Sequence, residues 1–206
     1  MEGIIIGIIV LVFSAILHEV AHGFVADRLG DPTARLAGRL TLNPLPHIDP
    51  VMSIAVPLLL IVSGSPLIFG AARPVPINPL MLREGRKDVA LVALAGPLTN
   101  LFLALTGALL LKLLGGFAPQ IIPFLKIVVF YNLALGFLNL IPIPPLDGSK
   151  FFSIILPERA AQQYFALAPF GIFLLFLLLL ATPLGDILNV LIFNSLHALG
   201  ISSIIN

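Results

Sequence analysis

His18-Glu19-Val20-Ala21-His22 sets two imidazoles four residues apart with a carboxylate beside the first. On an α-helix, positions i and i+4 share a face, so both rings can reach one metal ion. Glu19 projects beside that pair and can polarise a metal-bound water without being a ligand. A catalytic zinc needs a third protein ligand and an open position. Asp147 is the candidate, at the end of Asn139-Leu-Ile-Pro-Ile-Pro-Pro-Leu-Asp147-Gly148, and it closes an apolar run that begins after Lys126. Pro142, Pro144 and Pro145 stop helix propagation and favour an extended segment that can carry a carboxylate to a metal. Gly148 permits a tight turn or a close approach. Alone, such a string reads equally well as a loop turn; beside the histidine pair, the ligand reading is favoured.

Two amides are candidate catalytic residues. Asn139, eight residues before Asp147, can donate to a tetrahedral oxyanion or hold a substrate strand. Asn100 follows Gly96-Pro97 inside an apolar helix, where an amide needs a partner. Packing between helices is the alternative for each. Pro97 frees the carbonyl of Ala93 and is expected to bend its helix. His47 reads as a structural hydrogen-bonding residue, with a gate or occasional ligand as the alternative. His197 reads as an ordinary helix residue and Asn132 as packing.

Elements that could position these groups must work without water. Of 206 residues, 59% are hydrophobic and 10% charged, with a mean hydropathy of +1.11. A soluble domain averages about 45–50% apolar and about 25% charged, so lipid is the expected solvent. There are no cysteines, which excludes disulfides, thiolate metal sites and a cysteine nucleophile. The apolar Gly3–Leu17 stretch lacks a basic leader and reads as a retained first membrane helix, not a signal peptide. His18 then lies about 22 Å along it. An ionisable group at membrane depth is costly and points to function.

Charge-free apolar stretches mark spans at 3–25, 50–72, 89–111, 124–146, 165–183 and 187–205, each near the ~20 residues a crossing needs. The 50–72 stretch contains Pro57, Pro66 and Ser63-Gly64-Ser65, so a straight helix there is not expected. Arg35-Leu-Ala-Gly-Arg-Leu-Thr-Leu42 partly alternates, which suggests a short strand or hairpin. The expected fold is an all-α polytopic membrane protein of about five transmembrane helices. To these are added a re-entrant or partly inserted segment at 50–72 and a short β-hairpin near 35–49. One integral-membrane domain covers 1–206, with a catalytic core at 1–150 and C-terminal helices at 160–206.

The sequence resembles the site-2 protease family of intramembrane metalloproteases, in its compact bacterial or archaeal form without a PDZ domain. The resemblance rests on HEVAH at 18–22, Ala-Gly-Pro-Leu-Thr-Asn at 95–100 and NLIPIPPLDG at 139–148. Supporting stretches are Arg28-Leu-Gly-Asp-Pro-Thr-Ala34, Gly38-Arg-Leu-Thr-Leu-Asn-Pro44 and His47-Ile-Asp-Pro50. It implies one zinc at His18, His22 and Asp147, Glu19 as general base, and cleavage of membrane-anchored protein substrates in a prokaryotic cell membrane. No nucleic-acid partner is expected, and the oligomeric state is open.

Ligands of one ion must meet at one depth. His18 and His22 lie near the end of the first helix and Asp147 at the end of 124–146, so an even number of crossings separates them. The stretches at 89–111 and 124–146 supply two, and 50–72 should therefore dip in and return. This topology puts Arg28, Arg35, Arg39, Arg73, Arg83, Arg86, Lys87, Lys150 and Arg159 on one side, and Lys112 and Lys126 on the other. Nine against two makes the first side cytoplasmic. The N-terminus is then outside, the C-terminus cytoplasmic and the active site near the cytoplasmic face. The competing functional classes are a non-proteolytic zinc-binding scaffold and a metal transporter. A transporter needs polar groups through the full depth, and 165–183 and 187–205 offer almost none.

Overall fold

A computed structural model describes residues 2–55, 58–59, 62–63 and 72–201. Helix α1 (Glu2–Leu29) runs 28 residues, and one short turn of helix, α2 (Thr33–Leu36), follows it. The long helices α3 (Arg86–Leu114) and α4 (Ile122–Asn139) come next. After them lie α5 (Asp147–Phe152), α6 (Glu158–Phe165), α7 (Gly171–Ala181) and α8 (Leu184–Ala198). Among the described residues four stretches are long and apolar enough to cross a membrane: Ile5–Leu29, Arg86–Leu114, Pro119–Asn139 and Glu158–Ala181. Leu184–Ala198 is apolar but shorter. The polytopic all-α class fits.

Lipid tails are as apolar as leucine, so helices associate in a bilayer through close packing rather than hydrophobic burial. Helix α3 is built for that. It buries Ala90, Ala93, Gly96, Asn100, Ala104, Gly107 and Ala108, which recur at spacings of three and four and form one face. Leu91, Leu98, Phe102, Leu105 and Leu109 are exposed and make the opposite, lipid-facing side. The small face lets α1 and α4 pack closely against α3. At one end Ala104, Ala108, Val129 and Leu133 join Ile192 and Leu196 of α8. At the other, Ala26, Val92 and Leu82 form a second cluster.

The β-hairpin expected near 35–49 is absent: no strand occurs among the described residues. Local bonds use the backbone groups that a ladder would need. The N–H groups of Leu36, Ala37 and Arg39 donate to Pro32, Thr33 and Ala34 carbonyls at 2.9 Å. Asn43 and Leu45 N–H groups bond the Thr41 and Asn43 side chains, and Leu45–His47 is a 3₁₀ turn. Short polar side chains that bond their own backbone outcompeted a weak alternation. Of the re-entrant segment expected at 50–72, Pro50–Ala55 forms a π-helical turn; most of 56–71, and with it the path of this segment, lies outside the described residues.

The Pro-rich link before Asp147 is a run of tight turns, not an extended segment. Ile143 N–H donates to Ile141 O (2.8 Å) and Leu146 N–H to Ile143 O (2.9 Å). The chain doubles back so closely that a Cβ on Gly148 would lie 2.2 Å from Leu140 O. That reversal returns Asp147 toward α1.

Asp31 fixes the loop after α1. It is fully buried and accepts from the Thr33 hydroxyl, the Thr33 N–H (3.0 Å) and the Asn78 N–H (2.6 Å). Burial pushes its carboxyl up, but these three bonds outweigh it and hold it below the usual carboxylate range. Because the folded value lies below the unfolded one, its stabilisation is present above about pH 4 and is lost as pH falls through the depressed folded value. Asp31→Ala should cost about 2–3 kcal/mol of stability and flatten the acid limb of a pH–stability curve measured in detergent.

Candidate metal centre

His18 and His22 project from α1 toward α3, and Asp147 opens α5. Their relative exposures are 7%, 5% and 6%, so water does little to compensate them. His18 Nε2 and His22 Nε2 lie 3.0 Å apart, and Asp147 Oδ2 lies 3.0 Å and 3.1 Å from them. Among the described residues these three form the one such group placed to hold a metal ion.

The far nitrogens decide the chemistry. His22 Nδ1 is 2.6 Å from Val92 O; a carbonyl only accepts, so Nδ1 carries a proton and, in the neutral ring that ligates a metal, Nε2 is bare. His18 Nδ1 is 2.6 Å from Asn100 Oδ1, the acceptor end of that amide, with the same result. Two imidazole lone pairs and a carboxylate oxygen thus converge at about 3 Å in a buried site. Such atoms repel unless a cation lies among them. Tetrahedral zinc with bonds near 2.0–2.1 Å sets its ligands about 3.3 Å apart, which this cluster nearly matches. The donor set, two nitrogens and a carboxylate, fits zinc.

Three supporting contacts were not legible in the sequence. A Cβ on Gly96 would lie 2.5 Å from both Nε2 atoms, so α3 must be bare there for the rings to occupy the site. The signal was a helical glycine four residues before an amide, but only the partner helix shows what it clears. Lys150 Nζ donates to Asp147 Oδ1 at 3.0 Å, leaving Oδ2 for the cluster. The Val75 N–H donates to Glu19 Oε2 at 2.8 Å. Val75 lies between Pro74 and Pro76, neither of which has an N–H. This segment is held by Arg39, whose Nη2 donates to Arg73 O (2.6 Å), and by Arg73 N–H on His47 O (2.8 Å). His47 Nε2 lies 3.0 Å from Thr41 O, a structural contact away from the cluster.

Asn100 is fully buried, with its Oδ1 against His18 Nδ1. Asn139 donates back to Leu135 O at 3.0 Å, a bond one helical turn back. Pro97 lies within α3, and the carbonyl taken by His22 is that of Val92, next to the Ala93 carbonyl it was expected to free. His197 is exposed on α8.

The profile of peptidase family M50 matches residues 115–180. Over 187 residues the chain is 39% identical to "Putative zinc metalloprotease YwhC" of Bacillus subtilis (strain 168), covering 87% of this chain and 81% of that protein. This chain belongs to peptidase family M50, the site-2 protease family. A second relative, "Putative zinc metalloprotease Rip2" of Mycolicibacterium smegmatis (strain ATCC 700084 / mc(2)155), is 36% identical over 194 residues, covering 86% of this chain and 69% of that protein. No solved structure gives a significant match. With its apolar helices, this M50 chain is an integral-membrane metalloprotease.

Gly96→Ala tests the cleared space. Alanine favours helix over glycine by about 1 kcal/mol, so α3 should persist. The added methyl should lower zinc affinity by about 10–100-fold, by analogy with loss of a supporting contact at a metal site. Chelator competition reads the affinity, and circular dichroism checks the helix.

Proposed function

We propose that this protein is an intramembrane zinc endopeptidase that cleaves transmembrane or membrane-proximal segments of membrane-anchored proteins. The observation that carries the reading is the convergence of two imidazole nitrogens and a carboxylate oxygen beside Glu19. His18, His22 and Asp147 hold one zinc per chain. When bound, zinc supplies a Lewis acid that acidifies water and polarises the scissile carbonyl.

Glu19 takes the proton from the attacking water and passes it to the leaving amine as the C–N bond breaks. Val75 N–H holds one of its oxygens, which fixes the carboxylate plane and leaves the second oxygen to carry the proton. Asn139 is the candidate donor to the oxyanion; to act, it exchanges its bond to Leu135 for one to substrate. A helical substrate has its amides bonded internally, so the cleaved stretch must unwind before its carbonyl can react.

The domain is single, with the core at 1–150 and the helices beyond it completing the bundle. The charge asymmetry supports an N-terminus outside, a cytoplasmic C-terminus and an active site near the cytoplasmic face of a prokaryotic membrane. Regulated cleavage of membrane-anchored regulators suits such a placement.

Native protein and Glu19→Gln, purified in detergent, separate this reading from its rivals. Native protein should bind about one zinc per chain and cut a model transmembrane substrate. Glu19→Gln should keep the zinc and cleave about 10²–10⁴-fold more slowly. Zinc without cleavage by native protein across unfolded and transmembrane substrates would point to a scaffold or transporter. Asp147→Ala should lose the zinc and, with it, cleavage.

A further inference from the structure

His18 depends on the orientation of the Asn100 amide, and an amide is symmetric in outline but not in polarity. Turned over, Asn100 would offer its NH2 to His18 Nδ1. That nitrogen would then become the acceptor, and the proton would move to Nε2, pointing at His22 and Asp147. The site would be blocked. Something must therefore fix the direction of Asn100.

Its Nδ2 lies 2.9 Å from Asn132 Oδ1 and 3.5 Å from Ser14 O. Asn132 is turned with its Nδ2 2.9 Å from Val128 O and 2.9 Å from Ser14 Oγ. Ser14 O and Val128 O are backbone carbonyls and only accept. The polarity of the chain thus starts at two carbonyls and runs one way: Asn132 presents oxygen to Asn100, and Asn100 presents oxygen to His18. Ser14, Asn100 and Asn132 are 4%, 0% and 1% exposed, so no solvent is at hand to substitute for a missing partner. Ser14 lies one turn before His18 on α1, and the two amides come from α3 and α4, so the relay crosses all three core helices at one level.

We propose that Asn132 and Ser14 are positioning residues of the metal centre: they form a polarity relay that keeps the His18 proton on Nδ1 and its Nε2 bare. The inference rests on the zinc-site reading above. It removes Asn132 from the class of simple packing residues, because packing alone would be served by a leucine of similar size.

The test is zinc affinity of full-length protein in detergent, by chelator competition, together with the ¹⁵N histidine spectrum of the metal-free protein. Asn132→Leu should weaken zinc binding about 10–100-fold and shift His18 away from the Nδ1–H tautomer. Ser14→Ala should do both to a lesser degree, and Ser14→Thr, which keeps the hydroxyl, should restore native values. Val129→Ala, a fully buried neighbour outside the relay, should lower the thermal midpoint without moving either readout. If Asn132→Leu only lowers the midpoint, as Val129→Ala does, the relay is wrong and the zinc-site reading stands. If native protein binds no zinc, the zinc-site reading falls and the relay with it. Should Asn132→Leu fail to fold, the same two readouts on Ser14→Ala and Ser14→Thr decide the matter.

Discussion

The structure turns on placing three electron-rich atoms within about 3 Å of one another where water cannot separate them. Everything nearby follows from that demand. The imidazoles can aim bare nitrogens inward only if their other nitrogens find acceptors, and inside a bilayer those must come from the protein. Val92 O serves His22 and Asn100 Oδ1 serves His18. Both acceptors lie on α3, so α3 must approach α1 closely along its length. Its run of alanines and glycines meets that need, and Gly96 meets it where the two imidazole rings lie against α3. The small-residue face is as much a part of the site as the ligands.

The candidate metal ligands were legible because their chemistry is written in local spacing. Two histidines four apart need only a helix to converge, and the carboxylate before Gly148 was the natural third donor. Asn100 was visible as an amide needing a partner, but the partner is a ring on another helix and no local pattern specifies it. Gly96 was invisible for the same reason: a missing Cβ has meaning only against what fills its space. At 35–49 the alternation was real but brief. Asp31 caps Thr33, and Thr41 and Asn43 bond the backbone two residues on, so turn chemistry decided that segment. The link before Asp147 shows the converse. Its prolines rightly excluded a helix, yet they could not say whether the chain would extend or fold back, because the Gly148 contact with Leu140 that settles it is itself a product of the reversal.

The site is fixed unequally on its two sides. Toward α3 and α4, every bond to the histidines lies among fully buried groups, and breaking any one strands a polar atom in hydrocarbon. Toward the loops, Glu19 is held by one backbone N–H of the Pro74-Val75-Pro76 stretch, and Asp147 by Lys150, whose side chain is 39% exposed. The part-exposed Lys150 can be traded for water at small cost, whereas Val75 is itself buried. Asp147 Oδ2 is nonetheless fixed by the two histidines, so the exchangeable contact is the one on its Oδ1. The flanking prolines leave Val75 as the sole N–H donor across residues 74–76, so the hold on Glu19 over that stretch is a single bond. A single bond from a buried N–H is enough to orient that carboxylate.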